Sequence, residues 1–224
     1  MALFPKNPEV RVLGNKTYVD NLKIMLAKPM TTKGIKIKIN EKTCKEYYIN
    51  QPPINWWASE KLDGIRAIWD GEKFLSRGSA NGAAKVYSYV PKWFKDLIPK
   101  GMALDGEIWV GRNKFQEAGK LSSLIPGGKY TESEINEMWK GVKFMIFDIP
   151  TYNGLFEERM SYLNKNIKQN DNIRLVKHHK IKTEDDLSKM YDTLTSQGAE
   201  GVMLRAPHSP YVTKRTNLML KMKI

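Results

Sequence analysis

Apolar residues along this chain occur in two kinds of run, and the difference between them predicts the elements. Segments 55–62 (NWWASEKL), 65–77 (IRAIWDGEKFLSR), 102–110 (MALDGEIWV), 142–149 (VKFMIFDI), 201–206 (GVMLRA) and 218–223 (LMLKMK) concentrate aromatic and branched residues in short stretches, which predicts strands. Asp70-Gly71 predicts a hairpin turn within the second. Helices are marked by their ends. Segment 131–139 opens on Thr131 with Glu134 three residues later, the spacing of a capping box, and 183–198 has Thr183 as N-cap and Gly198 as a stop. Segment 156–167 places Phe156, Met160 and Leu163 at helical spacing as a core stripe, and 91–98 offers a shorter helix with Pro91 in its first turn. Strands and helices do not alternate regularly, so the expected fold is α+β, with mainly antiparallel sheets flanked by helices. With no repeat and no Gly/Ser- or Pro-rich linker, residues 1–224 read as a single domain.

Charge narrows the function. The chain holds 37 Lys and Arg against 24 Asp and Glu, a net +13, which favours a polyanionic partner. Composition does not say whether the positive residues share one face, so a generally basic surface is the plain alternative. No run approaches the ~20 apolar residues that cross a bilayer. The first 14 residues lack the charged head and apolar core of a secretory signal. Cys44 is the sole cysteine, which excludes an internal disulfide and a cysteine-based zinc site. A soluble intracellular protein, in cytoplasm or nucleus and with no membrane partner, is the expectation.

The stretch Lys61-Leu62-Asp63-Gly64-Ile65-Arg66 raises the question of chemistry. Alone, it fits an ordinary Asp-Gly turn flanked by solvated charges. Five other stretches change that reading, because each sets polar or charged residues in or beside an apolar strand. They are FLSRG with Arg77, LDGEIW with Glu107, FMIFDI with Phe147 and Asp148, AEGVMLR with Glu200, and LMLKMK with Lys221 and Lys223. Together and in this order, from Trp57 to Lys223, they resemble the motif set of the covalent nucleotidyltransferases: ATP-dependent DNA ligases, RNA ligases and mRNA capping enzymes. In its closest form the chain resembles the adenylation domain of a small ATP-dependent DNA ligase of bacterial or viral type. LAKPM at 26–30 resembles the segment that precedes the lysine motif in ligases.

The resemblance implies the nucleotidyltransferase fold of ligase catalytic cores and a role for each motif residue. Lys61 is the catalytic nucleophile that takes AMP from ATP. A lysine amine suits this because its phosphoramidate stays on the enzyme and is reactive enough to hand AMP onward. An unperturbed lysine has a pKa of ~10.4, so activation by nearby cations, Lys221, Lys223 and a divalent metal, is expected. The resemblance gives Arg66 to the ribose and Arg77 to phosphate, of the nucleotide or of the DNA 5′ end. It sets Phe147 against the adenine ring and Lys221 and Lys223 on the α-phosphate. Glu107 accepts from ribose or holds metal, and Glu200 is the better metal ligand, for Mg2+ or Mn2+. Asp148 is equally a turn residue or a functional one. Gly64, Gly106 and Gly201 permit close backbone approach or positive φ. His178, His179 and His208 match no motif.

The departures from the family pattern are as informative. Many DNA ligases carry, two residues before the lysine, a glutamate that reads adenine; Ser59 stands there and Glu60 comes one residue later. Glu60 is therefore the candidate nucleotide contact, with base selectivity open. The loop GSANGAA after Arg77 differs from the family wording, and residues 31–50 are either a surface excursion or a DNA-contacting element. The chain stops where family ligases continue into an OB-fold domain, so a separate or removed OB-fold domain is an expected partner, beside ATP and nicked duplex DNA. The expected reaction forms lysyl-AMP, transfers AMP to the 5′-phosphate of a nick and joins it to the 3′-hydroxyl. An RNA ligase, a GTP-using capping guanylyltransferase, and a non-catalytic nucleic-acid-binding domain of the same fold are the alternatives.

Overall fold

In chain order the computed structural model contains β1 (Val10–Leu13), β2 (Lys16–Val19), β3 (Leu26–Pro29), β4 (Lys38–Asn40), β5 (Lys45–Tyr47), β6 (Trp57–Glu60), β7 (Ile65–Trp69), β8 (Phe74–Ser76) and β9 (Ala84–Lys85). Then follow α1 (Lys92–Asp96), β10 (Leu104–Trp109), α2 (Phe115–Leu121), α3 (Glu132–Lys140), β11 (Lys143–Asp148) and α4 (Phe156–Asn166). The chain ends through β12 (Ile173–Leu175), β13 (His179–Lys180), α5 (Glu184–Ser196), β14 (Gly201–Arg205) and β15 (Arg215–Lys223). The structure describes residues 10–30, 38–40, 45–47, 53–78 and 83–223. Cys44, most of 31–50 and positions 79–82 of the loop after Arg77 lie outside the described residues.

The elements gather into two compact units. The first comprises Asp63–Thr151 and Leu163–Leu175 with the N-terminal segment up to Lys23; the second comprises Ile24–Leu62, Tyr152–Tyr162 and Val176–Ile224.

In the first unit, five strands run in the order β12-β11-β10-β7-β8, and β1-β2-β9 form a smaller sheet. The Asp70-Gly71 signal acts as expected, pairing Trp69 with Phe74 across the β7–β8 hairpin. Asp70 Oδ1 accepts the amides of Glu72 (2.9 Å) and Lys73 (2.8 Å), while Gly71 takes φ +106°. An aromatic core lies on one side of the larger sheet. The Phe74 ring is 5.0 Å from Trp69 and 4.8 Å from Phe144, and Phe94 of α1 meets Trp139 of α3 at 4.7 Å. The Thr131–Glu134 capping box starts α3.

In the second unit the strand order is β13-β6-β14-β15-β3. Ala58, Val202, Leu204 and Leu220 are buried in a shared core, against which Leu187, Met190 and Leu194 of α5 pack. Thr183 and Asp186 close a capping box at the start of that helix, and Gly198, at φ +84°, follows its last turn. Apart from β11–β12 and β3–β15, which are parallel, the ladders among the described residues are antiparallel, in agreement with the expected α+β class.

Three local readings change. Asp63-Gly64 is not a hairpin turn, since the strands on either side, β6 and β7, belong to different sheets. Pro91 caps α1 at ψ 138° and is not its first helical residue. Helix α2 has no sequence signal, because Lys114 at its N-cap offers no side-chain cap. No helix among the described residues is long and apolar enough to cross a membrane.

Candidate active site

Strand register assembles the lysines of the second unit. Ser59 pairs with Met203 and Met203 with Lys221, while Gly201 pairs with Lys223. Directly paired residues of an antiparallel sheet share a face and alternate residues return to it, so Lys221 and Lys223 lie on the face of Ser59. Lys61 follows β6, and its amide extends the ladder by donating to the Gly201 carbonyl at 2.9 Å. Gly201 itself sits at φ +146°, and a Cβ there would strike the Met222 carbonyl, so the sequence needs glycine beside Glu200. The Lys61 ammonium donates to Glu200 Oε2.

Lys221 lies in the same electrostatic neighbourhood. Burial first, then the charges of Lys223, Lys61 and Arg215, hold its ammonium below the ordinary lysine value, with Glu200 opposing. Three other cations thus act on Lys221 and one carboxylate opposes them, an arrangement suited to an incoming phosphate chain. Glu60 stands apart from this set. It pairs with Val202, in the row that faces the apolar core, and buried Ser59 takes the face shared with Lys221.

The first unit carries a second constellation. Asp105 of β10 is fully buried and grips Arg66 of β7 through Nε–Oδ1 at 2.5 Å and Nη2–Oδ2 at 2.6 Å. The guanidinium so held lies 4.9 Å from the centroid of the Phe147 ring on β11. Glu107, directly paired with Arg66, accepts the Gly64 amide through Oε1 at 3.2 Å. A Cβ on Gly64 would collide with the Ile108 carbonyl, which explains the glycine. Arg77 follows β8, exposed and without an ion pair among the described residues. Asp148 is buried, and its Oδ1 accepts the Ile149 amide at 2.9 Å, as a backbone-bracing residue does.

The structure therefore brings Lys61, Glu200, Lys221 and Lys223 together in one unit, and Arg66, Glu107 and Phe147 in the other. Sequence reasoning missed Asp105. Its signal was present: an acidic residue two positions before Glu107 in a strand, hence on the same face. It also missed Arg215, which belongs to the cation group of Lys221 and donates to the Ala27 carbonyl at 2.7 Å.

A magnesium ion, as the resemblance implies, favours oxygen ligands, keeps waters and uses one or two carboxylates beside substrate phosphates. Glu200, with a side chain 33% exposed beside Lys61, fits that donor chemistry.

Comparison with known proteins identifies the family. Over 178 residues the chain is 30% identical to a DNA ligase of Haemophilus influenzae, covering 79% of this chain, and over 187 residues it is 28% identical to a DNA ligase of Archaeoglobus fulgidus. The chain spans 60% of the length of the first and 31% of the second. Among solved structures it is similar to one from a structure–function study of DNA binding by Lig E DNA ligases, with TM-score 0.68 and 27% identity over 90% of this chain and 68% of that one. The fold also matches Chlorella virus DNA ligase-adenylate, with TM-score 0.58 and 20% identity over 90% of this chain and 68% of that one. The ATP dependent DNA ligase domain family matches residues 25–223. Fold, motif order and this match together establish that the chain belongs to the ATP dependent DNA ligase domain family.

Proposed function

We propose that this chain is the catalytic, adenylation domain of an ATP-dependent DNA ligase. The observation that carries the reading is the meeting of Lys61 with Glu200 and Lys221, where cations outnumber carboxylates around an amine on a fixed strand end.

Lys61, once deprotonated, attacks the α-phosphorus of ATP. The nitrogen–phosphorus bond forms, the bond to the β-phosphate breaks and pyrophosphate leaves. Lys221 and Lys223 meet the charge that builds on the phosphate oxygens. Glu200 orients the Lys61 side chain and is the residue that would hold magnesium. The ion, when bound, supplies neutralisation of phosphate charge. Arg66, positioned by Asp105, contacts the ribose, and Phe147 offers its ring to the base. Glu107 accepts from ribose hydroxyl. A 5′-phosphate oxygen of a nick then attacks the lysyl-AMP phosphorus and the Lys61 amine leaves. Finally the 3′-hydroxyl attacks that 5′-phosphate and AMP departs, closing the strand. Arg77 contacts the 5′-phosphate, and an OB-fold domain is the expected partner of the complete enzyme.

Intact mass after incubation with ATP and magnesium, with peptide mapping and a Lys61→Ala control, tests the reading. An AMP adduct on Lys61 is expected. No adduct, together with failure to seal a pre-adenylated nick, overturns it. Faster uptake of GMP from GTP, or sealing of nicked RNA in preference to nicked DNA, would reassign the substrate.

A further inference from the structure

We infer that Lys16, Lys85 and Ser123, on the three-stranded sheet of the first unit and the turn beside it, form a contact for the phosphodiester backbone of duplex DNA. This rests on the ligase reading above and adds a subsite that none of the family motifs includes.

Register defines the face. Lys85 of β9 pairs with Tyr18 of β2, and Tyr18 pairs with Arg11 of β1. Lys16, two residues before Tyr18, shares their side of the sheet. Arg11 is already neutralised, its Nε and Nη2 donating to the two carboxylate oxygens of Asp20 at 2.6 and 2.7 Å. Lys16 and Lys85 have no ion pair among the described residues. The Lys85 ammonium instead donates to the Ser123 hydroxyl at 2.5 Å. Burial, then the charge of Lys16, holds Lys85 below its ordinary value, and among the described residues neither lysine has an ion pair to offset that repulsion, Asp20 being taken by Arg11. A phosphate oxygen supplies that relief, with the Ser123 hydroxyl and the Tyr18 phenol as further donors of the kind that position a nucleic-acid backbone.

The patch is also rigidly placed. The Lys85 amide donates to Ser76 Oγ at 2.9 Å, the Val86 amide donates to the Thr17 carbonyl at 2.8 Å, and Ser76 precedes Arg77 in the chain. Lys85 is thus tied to the strand end that carries the proposed 5′-phosphate contact. A repeating backbone, and not a single phosphate, is the ligand that engages Arg77, Lys85 and Lys16 together.

The test is binding of a labelled nicked duplex over a range of salt by the unsubstituted chain, Lys16→Ala, Lys85→Ala and Lys140→Ala. Lys140 is a control cation already paired with Glu137 on α3. Loss of one backbone contact lowers the slope of log affinity against log salt by about one, and narrows the fall in affinity between about 50 and 200 mM salt roughly three-fold. That change is expected for Lys16→Ala and Lys85→Ala and not for Lys140→Ala. Lys16 is exposed, so its variant carries the test if Lys85→Ala fails to fold.

Unchanged slopes in both variants would overturn the inference, as would competition by inorganic triphosphate as strong, per phosphate, as by duplex. AMP uptake by the unsubstituted chain is measured in parallel. Lowered slopes with neither AMP uptake nor sealing of a pre-adenylated nick would leave the patch standing and remove the ligase reading; AMP uptake with unchanged slopes would do the reverse.

Discussion

Arg66 meets Asp105 through two parallel contacts between neighbouring strands, whereas Lys61 meets Glu200 through a single ammonium contact in a group where Lys221, Lys223 and Arg215 also compete for negative charge. The first pair is closed: one buried carboxylate matches one planar guanidinium, and the side chain is fixed before any nucleotide arrives. The second group is left with excess positive charge. A fixed arginine beside an aromatic ring suits recognition of an unreactive part of a ligand, while uncompensated cations around an amine suit the place where phosphate charge moves.

The comparison is broken most severely at Lys61. Lys61→Ala should abolish the AMP adduct entirely while leaving the melting temperature close to that of the parent; a variant that still gains AMP at another site would show that the cation group is not the reactive one. Asp105→Ala should have the largest stability effect, lowering unfolding free energy by about 3–5 kcal/mol, because it removes the carboxylate from a mostly buried pair. Urea unfolding reads it, and a loss below about 1 kcal/mol would mean that the arginine is not held as tightly as its geometry implies.

Glu200→Gln should do the opposite. Both side chains of the Lys61–Glu200 pair are partly exposed, at 19% and 33%, so stability should move by less than about 1 kcal/mol while AMP uptake slows about ten-fold or more. The smallest effect concerns pH. Because the folded state lowers the Lys221 pKa, the unfolded chain binds more protons between the folded value and the ordinary 10.5, so this residue makes stability rise with pH across that window. Lys221→Met should flatten that alkaline rise in urea midpoints; an unaltered profile would remove Lys221 from the crowded group.

Elements with strong local chemistry were legible in the sequence. The Thr131–Glu134 capping box, the Thr183 N-cap, the Asp70 hairpin and the strands that carry the motifs stand where the residues place them. Strands β1, β2, β9 and β13 were not, because runs of two to four residues with lysines among them carry too little periodicity. The candidate site was legible as a set of residues and not as an arrangement. Lys61 and Glu200 are 139 residues apart, and only strand register puts Lys221 on the face of Ser59 and Glu60 on the other. Asp105 was not legible because its partner Arg66 lies 39 residues away, and only the pairing of β10 with β7 brings the two together.

The strand order of the second unit has a consequence for handling the protein. One margin of the sheet that carries Lys61 is β13, only two residues long, exposed and containing Lys180; the other is β3, which ends on exposed Pro29, a residue with no amide hydrogen to offer. Neither margin is a good template for another copy's strand. Among the described residues the three-stranded sheet has no such guard, since β1 exposes Val10, Val12 and Leu13. Aggregation at high concentration should therefore begin along β1, and a charge placed at Val12 should delay it without touching the chemistry.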